Sequence, residues 1–128
     1  MVKERVLIIW KYFSGGPPYK MRLILDGDAL ANQWTRQGIY LLGEGKVSGY
    51  DHWYQRDGTS NIWFSQFYNG WIIGNSLGSD SADIIGPHVL DELKWPTQTL
   101  DGYKYHSSST PFWVPASSDE VVFIECKY

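Results

Sequence analysis

Residues 50–74 read YDHWYQRDGTSNIWFSQFYNGWIIG, and this stretch decides the fold class. It holds two Asx-Gly dipeptides, Asp57-Gly58 and Asn69-Gly70, set between runs of Trp, Tyr, Phe and Ile. Such dipeptides suit two-residue hairpins, because a type I′ turn needs positive φ at both central positions and Asn, Asp and Gly tolerate it. The flanking residues are aromatic and β-branched types that fit a pleated, half-buried surface. The spacing predicts a three-strand antiparallel meander over 50–74, with 38–42 adding a fourth strand.

Two-residue turns at both dipeptides set Trp53 opposite Ile62, His52 opposite Trp63 and Phe67 opposite Ile72. One face then carries Trp53, Ile62, Phe64, Trp71 and Ile73, an apolar set expected to form the core. The other carries Tyr50, His52, Tyr54, Trp63, Phe67 and Ile72, rings mixed with hydrogen-bonding edges. That second face is expected to be a platform toward solvent; burial of both faces in a two-layer sandwich is the alternative.

Outward from the meander, Gly15-Gly16-Pro17-Pro18, Asp26-Gly27-Asp28, Gly43-Glu44-Gly45 and Gly74 to Gly78 cut the chain into pieces too short for most helices. Between the breaks lie runs rich in Val, Ile, Tyr, Trp and Phe at 5–13, 19–25, 38–42, 50–56, 61–68, 71–74 and 120–128. The expected fold is all-β: an antiparallel sheet, small β-sandwich or partly closed barrel of about seven strands with at most one or two short helices. The helix candidates are 28–34, with Asp28 as N-cap, and 87–94, between Pro87 and Pro96. Residues 98–118 read as loop broken by one strand near 103–106. The last run is apolar on both sides, which predicts a central strand, and the terminal strands are candidates to pair with each other.

No repeat or linker divides the 128 residues, so residues 1–128 are read as one domain. The net charge is -3 and Lys and Arg are scattered singly, so there is no basic stripe to meet a nucleic-acid backbone. The apolar run from Val6 to Trp10 is too short for a membrane span or a signal-peptide core, and membrane is not an expected partner. Cys126 is the single cysteine, which excludes an internal disulfide and leaves the compartment open.

Catalytic motifs are thin. Gly74-Asn75-Ser76-Leu77-Gly78 matches the Gly-x-Ser-x-Gly elbow, upstream of Asp80, Asp83, His88 and His106, and makes an esterase-like hydrolase using Ser76 the third reading. No helical period follows it, so a glycine-rich turn is the preferred reading and no catalytic residue is assigned. His52, His88 and His106 form no paired metal motif, and Asp26/Asp28 and Asp80/Asp83 lack the further oxygens a calcium loop needs, so neither metal nor cofactor is expected. Residues 43–49 are read as a hairpin connection and Cys126 as a small buried hydrophobe.

The aromatic load stands out. With 7 Trp and 9 Tyr against 5 Phe, most rings carry a polar atom beside an apolar face. Such rings suit sugars, whose C–H faces stack while hydroxyls take hydrogen bonds, and also suit protein surfaces. The expectation is a non-catalytic recognition module, carbohydrate-binding and lectin-like, with Tyr50, His52, Tyr54 and Trp63 as contact residues. Protein–protein interaction or self-assembly into a homo-oligomer through the same surface is the second reading.

Overall fold

The computed structural model describes residues 16–88, 95–99, 101–107 and 113–126. Among these residues nine strands form one antiparallel sheet: β1 Lys20–Leu25, β2 Gly38–Leu42, β3 Trp53–Gln55, β4 Asn61–Ser65, β5 Gly70–Gly74, β6 Ile84–Ile85, β7 Lys104–His106, β8 Trp113–Pro115 and β9 Val121–Glu125. Their order is β8-β7-β6-β5-β4-β3-β2-β1-β9, a meander whose last strand returns to pair with the first.

That return forces curvature. In a flat sheet β8 and β9 would stand eight strand spacings apart, roughly 38 Å. The six peptide steps from Pro115 to Val121 reach at most about 21 Å. The sheet therefore curls into a half-barrel, and Tyr103, just before β7, meets Phe123 of β9 across the opening with ring centroids 5.6 Å apart.

Among the described residues one α-helix, α1 (Gly27–Gln33), follows β1 and runs into a 3-10 turn at Trp34–Arg36. It reaches across to β7: Ala29 lies in the core, and Gln33 Nε2 donates to the His106 carbonyl at 2.7 Å. The N-cap is Asp26 rather than the expected Asp28. Asp26 has the extended backbone a cap needs and its Oδ1 accepts from Gly27 N at 2.8 Å, whereas Asp28 N donates to Glu120 Oε2 at 3.1 Å. The expected strand at 5–13 and most of the expected helix at 87–94 lie outside the described residues. A 3-10 turn occupies Pro96–Gln98.

The predicted core face is the inner face of the half-barrel. Trp53, Ile62, Phe64, Trp71 and Ile73 join Met21, Leu23, Leu25, Tyr40, Ile84, Tyr105, Val121 and Phe123 in one cluster. Trp53 packs edge-on against Trp71 at 5.5 Å and Trp95 at 6.1 Å, so bulky rings fill the barrel interior, as in other small barrels. A second, smaller cluster of Trp63, Ile72 and Ile85 lies on the outer face.

The turns differ from expectation, while the paired strands β3, β4 and β5 keep their predicted faces. Trp53 pairs with Ile62 as predicted, yet neither Asp57 nor Gly58 has positive φ. At the second hairpin Ile72 pairs with Trp63, four residues from the predicted Phe67, because Gln66–Asn69 form a longer loop with Asn69 alone at φ 57. Ser65 Oγ accepts from Tyr68 N at 3.1 Å inside that loop. Gly70 is then strand, and a β-carbon there would lie 2.5 Å from the Pro87 carbonyl oxygen. A shift of four is even, so the side chains of β4 and β5 keep their faces. The two-residue turn with both φ positive is instead Ser48 (φ 53) and Gly49 (φ 86), closing the Val47–Tyr50 bridge within the connection read at 43–49.

Two strands were not expected. β6 is only Ile84–Ile85, too short to show alternation, and β8 ends in Pro115. Proline is tolerated there because, among the described residues, β8 pairs with β7 alone and the missing N–H can face away from the ladder. The final run is β9, which among the described residues pairs with β1 alone; the run at 5–13, the expected partner of the terminal strand, lies outside them. Its inward Val121 and Phe123 are buried, while Ile124 on the other side is 47% exposed.

Candidate functional site

The four residues expected as contacts do not share one open face. Trp63 is 1% exposed, in an outer cluster with Ile72 and Ile85 against which Val47, Tyr68, Ala82 and Trp113 pack, and its indole N–H donates to the Ser79 carbonyl at 3.2 Å. The loop 75–82 and the β4–β5 loop fold over this part of the outer face, which is why a solvent-facing position on the meander is sealed. His52 is 9% exposed. Its Nε2 lies 3.0 Å from the Glu44 carbonyl oxygen, which can only accept, so Nε2 carries the proton. Nδ1 is buried with no partner among the described residues. A β-carbon on Gly43 would collide with the His52 ring, so that glycine makes the room it occupies.

Tyr50, placed just after the Ser48-Gly49 turn, swings toward the inner cluster and sets its ring 4.7 Å from that of Phe64. Tyr54 alone of the four is open, 44% exposed on the outer face of β3 beside Leu41 of β2. Of the four expected contact residues, only Tyr54 is thus open to solvent.

A different set of rings comes together at the surface. Phe67 and Tyr68 sit in the β4–β5 loop with centroids 4.9 Å apart and planes at 88°. Tyr68 stands 6.4 Å from Trp113 of β8 at 74°, and Trp113 stands 5.5 Å from His106 of β7 at 83°. Trp113 and His106 are cross-strand partners, which fixes their spacing. Phe67 is 72% exposed; Tyr68 and Trp113 are half-buried against the cluster of Trp63, Ile72 and Ile85, and His106 is half-buried beside Trp113. The row Phe67–Tyr68–Trp113–His106 thus alternates orientation at each step. Of its members, only Phe67 belonged to the predicted platform face. Tyr68 and Trp113 were hidden from sequence reasoning by the loop length at 66–69 and by the prolines around β8.

A buried polar cluster was also missed. Arg36 Nη1 donates to Ser60 Oγ at 3.0 Å and Asn75 Oδ1 at 2.6 Å, and Nη2 pairs with Asp83 Oδ2 at 2.6 Å. Tyr40 donates its hydroxyl to the Arg36 carbonyl at 2.6 Å, and burial pushes that phenol up to about 12. Thr59 Oγ1 also donates to Asn75 Oδ1 at 3.0 Å. This cluster fastens both ends of the 75–83 loop to the 3-10 turn after α1.

The cluster also accounts for the Gly-x-Ser-x-Gly stretch. Ser76 lies exposed in a turn between β5 and the antiparallel β6, not between a strand and a helix. Its carbonyl accepts from Ser79 N at 3.0 Å and Ser79 Oγ at 2.8 Å. Asp83 is committed to Arg36, and His106 lies on β7 with its ring against Trp113. Asp26 acts as a cap, the Asx role preferred over a calcium loop. Cys126 is half-buried rather than buried. Among the described residues no group of three His, Cys, Asp or Glu could hold a metal ion, and no helix is long and apolar enough to cross a membrane. No family model, curated protein or solved structure matches the chain.

Proposed function

We propose that this chain is a non-catalytic recognition module that binds carbohydrate, with the surface row Phe67–Tyr68–Trp113–His106 as its contact surface. The row itself carries the reading: four rings linked by contacts of 4.9, 6.4 and 5.5 Å, with Phe67 largely open to solvent. Apolar ring faces receive the C–H side of a sugar, and the Tyr68 hydroxyl and the His106 and Trp113 ring nitrogens offer polar edges for its hydroxyls. Two strands and a well-packed outer cluster hold three of these rings, so little ordering entropy is lost on binding.

A second reading, docking of a protein or of another copy, draws support from the apolar outer side of β9 and β3, where Ile124 and Tyr54 are exposed. A broad glycan array read out by intrinsic tryptophan fluorescence separates the two. A saturable response that Phe67→Ala abolishes is expected. No response to any glycan, together with concentration-dependent dimerisation lost in Ile124→Ser, would replace the first reading with the second.

A further inference from the structure

Resting on the carbohydrate reading, we infer that the ligand is an extended run of several units from a neutral glycan chain, not a single terminal sugar. The geometry of the ring row is the argument. Its members are strung one after another from the β4–β5 loop to the β7–β8 pair rather than gathered around one point. Phe67 touches Tyr68, Tyr68 touches Trp113, and Trp113 touches His106, with interplanar angles of 88°, 74° and 83°. At each step, a ring's edge is therefore turned to the next ring's face.

A cage for one sugar needs faces that converge on the same volume. A row with alternating orientation instead offers separated stacking positions, Phe67 and Trp113, with the polar edge of Tyr68 between them. One pyranose covers one such position, and a chain is needed to use both. The increments then add as linked binding events, in which each further unit binds at the effective concentration set by the units already seated.

The charge around the row points to a neutral chain. Phe67, Tyr68 and Trp113 carry none, and the residues between and beneath them are Gln66, Asn69, Ile72 and Ile85. On the strands that carry the row, β7 and β8, the cationic side chain is Lys104, two residues from His106 along β7 and opposite Ile85 and Pro115. Arginine's fork-shaped guanidinium is the donor that matches a carboxylate bidentately; none stands on β4, β5, β7 or β8, and Arg36 is buried in its own ion pair.

The test is a chain-length series on the full chain, by calorimetry, with cello-, chito- and manno-oligosaccharides from monosaccharide to hexasaccharide and a uronic-acid series alongside. In the neutral series that binds, affinity should rise at least tenfold from one unit to six. Phe67→Ala should remove most of that rise. Trp113→Phe, with an unchanged thermal midpoint as the folding control, should do the same from the other end. A monosaccharide binding as tightly as the hexasaccharide, a rise that survives both substitutions, or preference for the uronic-acid series would each overturn the inference while carbohydrate binding stood. Silence across every series would instead remove the carbohydrate reading, and the inference with it.

Discussion

Replacing Trp63 by alanine separates a packing role from a contact role at the residue where sequence and structure disagree most. Its indole is 1% exposed beneath Val47, Tyr68, Ala82 and Trp113. A buried tryptophan removes about 200 Å² from water, worth roughly 5 kcal/mol at about 25 cal/mol per Å² as an upper bound. The hydrogen bond to the Ser79 carbonyl adds about 1 kcal/mol. Measured tryptophan and phenylalanine truncations in cores cost about 3–5 kcal/mol, so a loss of about 4 kcal/mol is expected, a large part of a typical domain's stability. In urea denaturation at a slope of about 2 kcal/mol per M, the midpoint should fall by about 2 M. Tyr54→Ala, at a 44% exposed position, should change stability by no more than about 0.5 kcal/mol. A Trp63→Ala protein that keeps its urea midpoint within about 0.3 M of the parent would show that the indole is not packed as described, and the reasoning from burial would fail.

Two further outcomes follow from local geometry. Ser48 holds φ 53 ahead of Gly49 at φ 86, a conformation asparagine tolerates better than serine, so Ser48→Asn should stabilise by about 0.5 kcal/mol and raise the calorimetric midpoint by roughly 1–3 °C; a lower midpoint would refute the turn assignment. Glu120 has its carboxyl held below the ordinary value, chiefly by the Ser117 backbone N–H and also by that of Asp28. A depressed folded pKa means that its stabilisation is present above the ordinary carboxylate range and is lost as pH falls through the folded value. The thermal midpoint gap between parent and Glu120→Gln should therefore be steady near neutrality and close under acid conditions; a gap that persists into strong acid would count against this role.

How the fold was legible depended on parity. The pairing of Trp53 with Ile62 came straight from the spacing around Asp57-Gly58, even though the turn itself is not of the positive-φ kind. The second hairpin was misjudged by four residues, yet Trp71 and Ile73 still point inward, because alternation has period two and an even slip leaves faces unchanged. Side-chain direction was thus robust where turn geometry was not. β6 and β8 carried too few residues, or a proline, to announce themselves.

Composition and alternation in the chain itself established an all-β domain, its inner face and an excess of rings with polar edges, because these follow from local propensity and a period-two pattern. Which rings meet water was decided only by tertiary structure. Trp63 is sealed because loops remote in sequence close over it, and Trp113 reaches Tyr68 because a two-residue strand and a short edge strand bring the chain's last third beside its middle. Exposure depends on what packs above a residue, and that neighbour is set by the curl of the sheet, which no stretch of the sequence contains by itself.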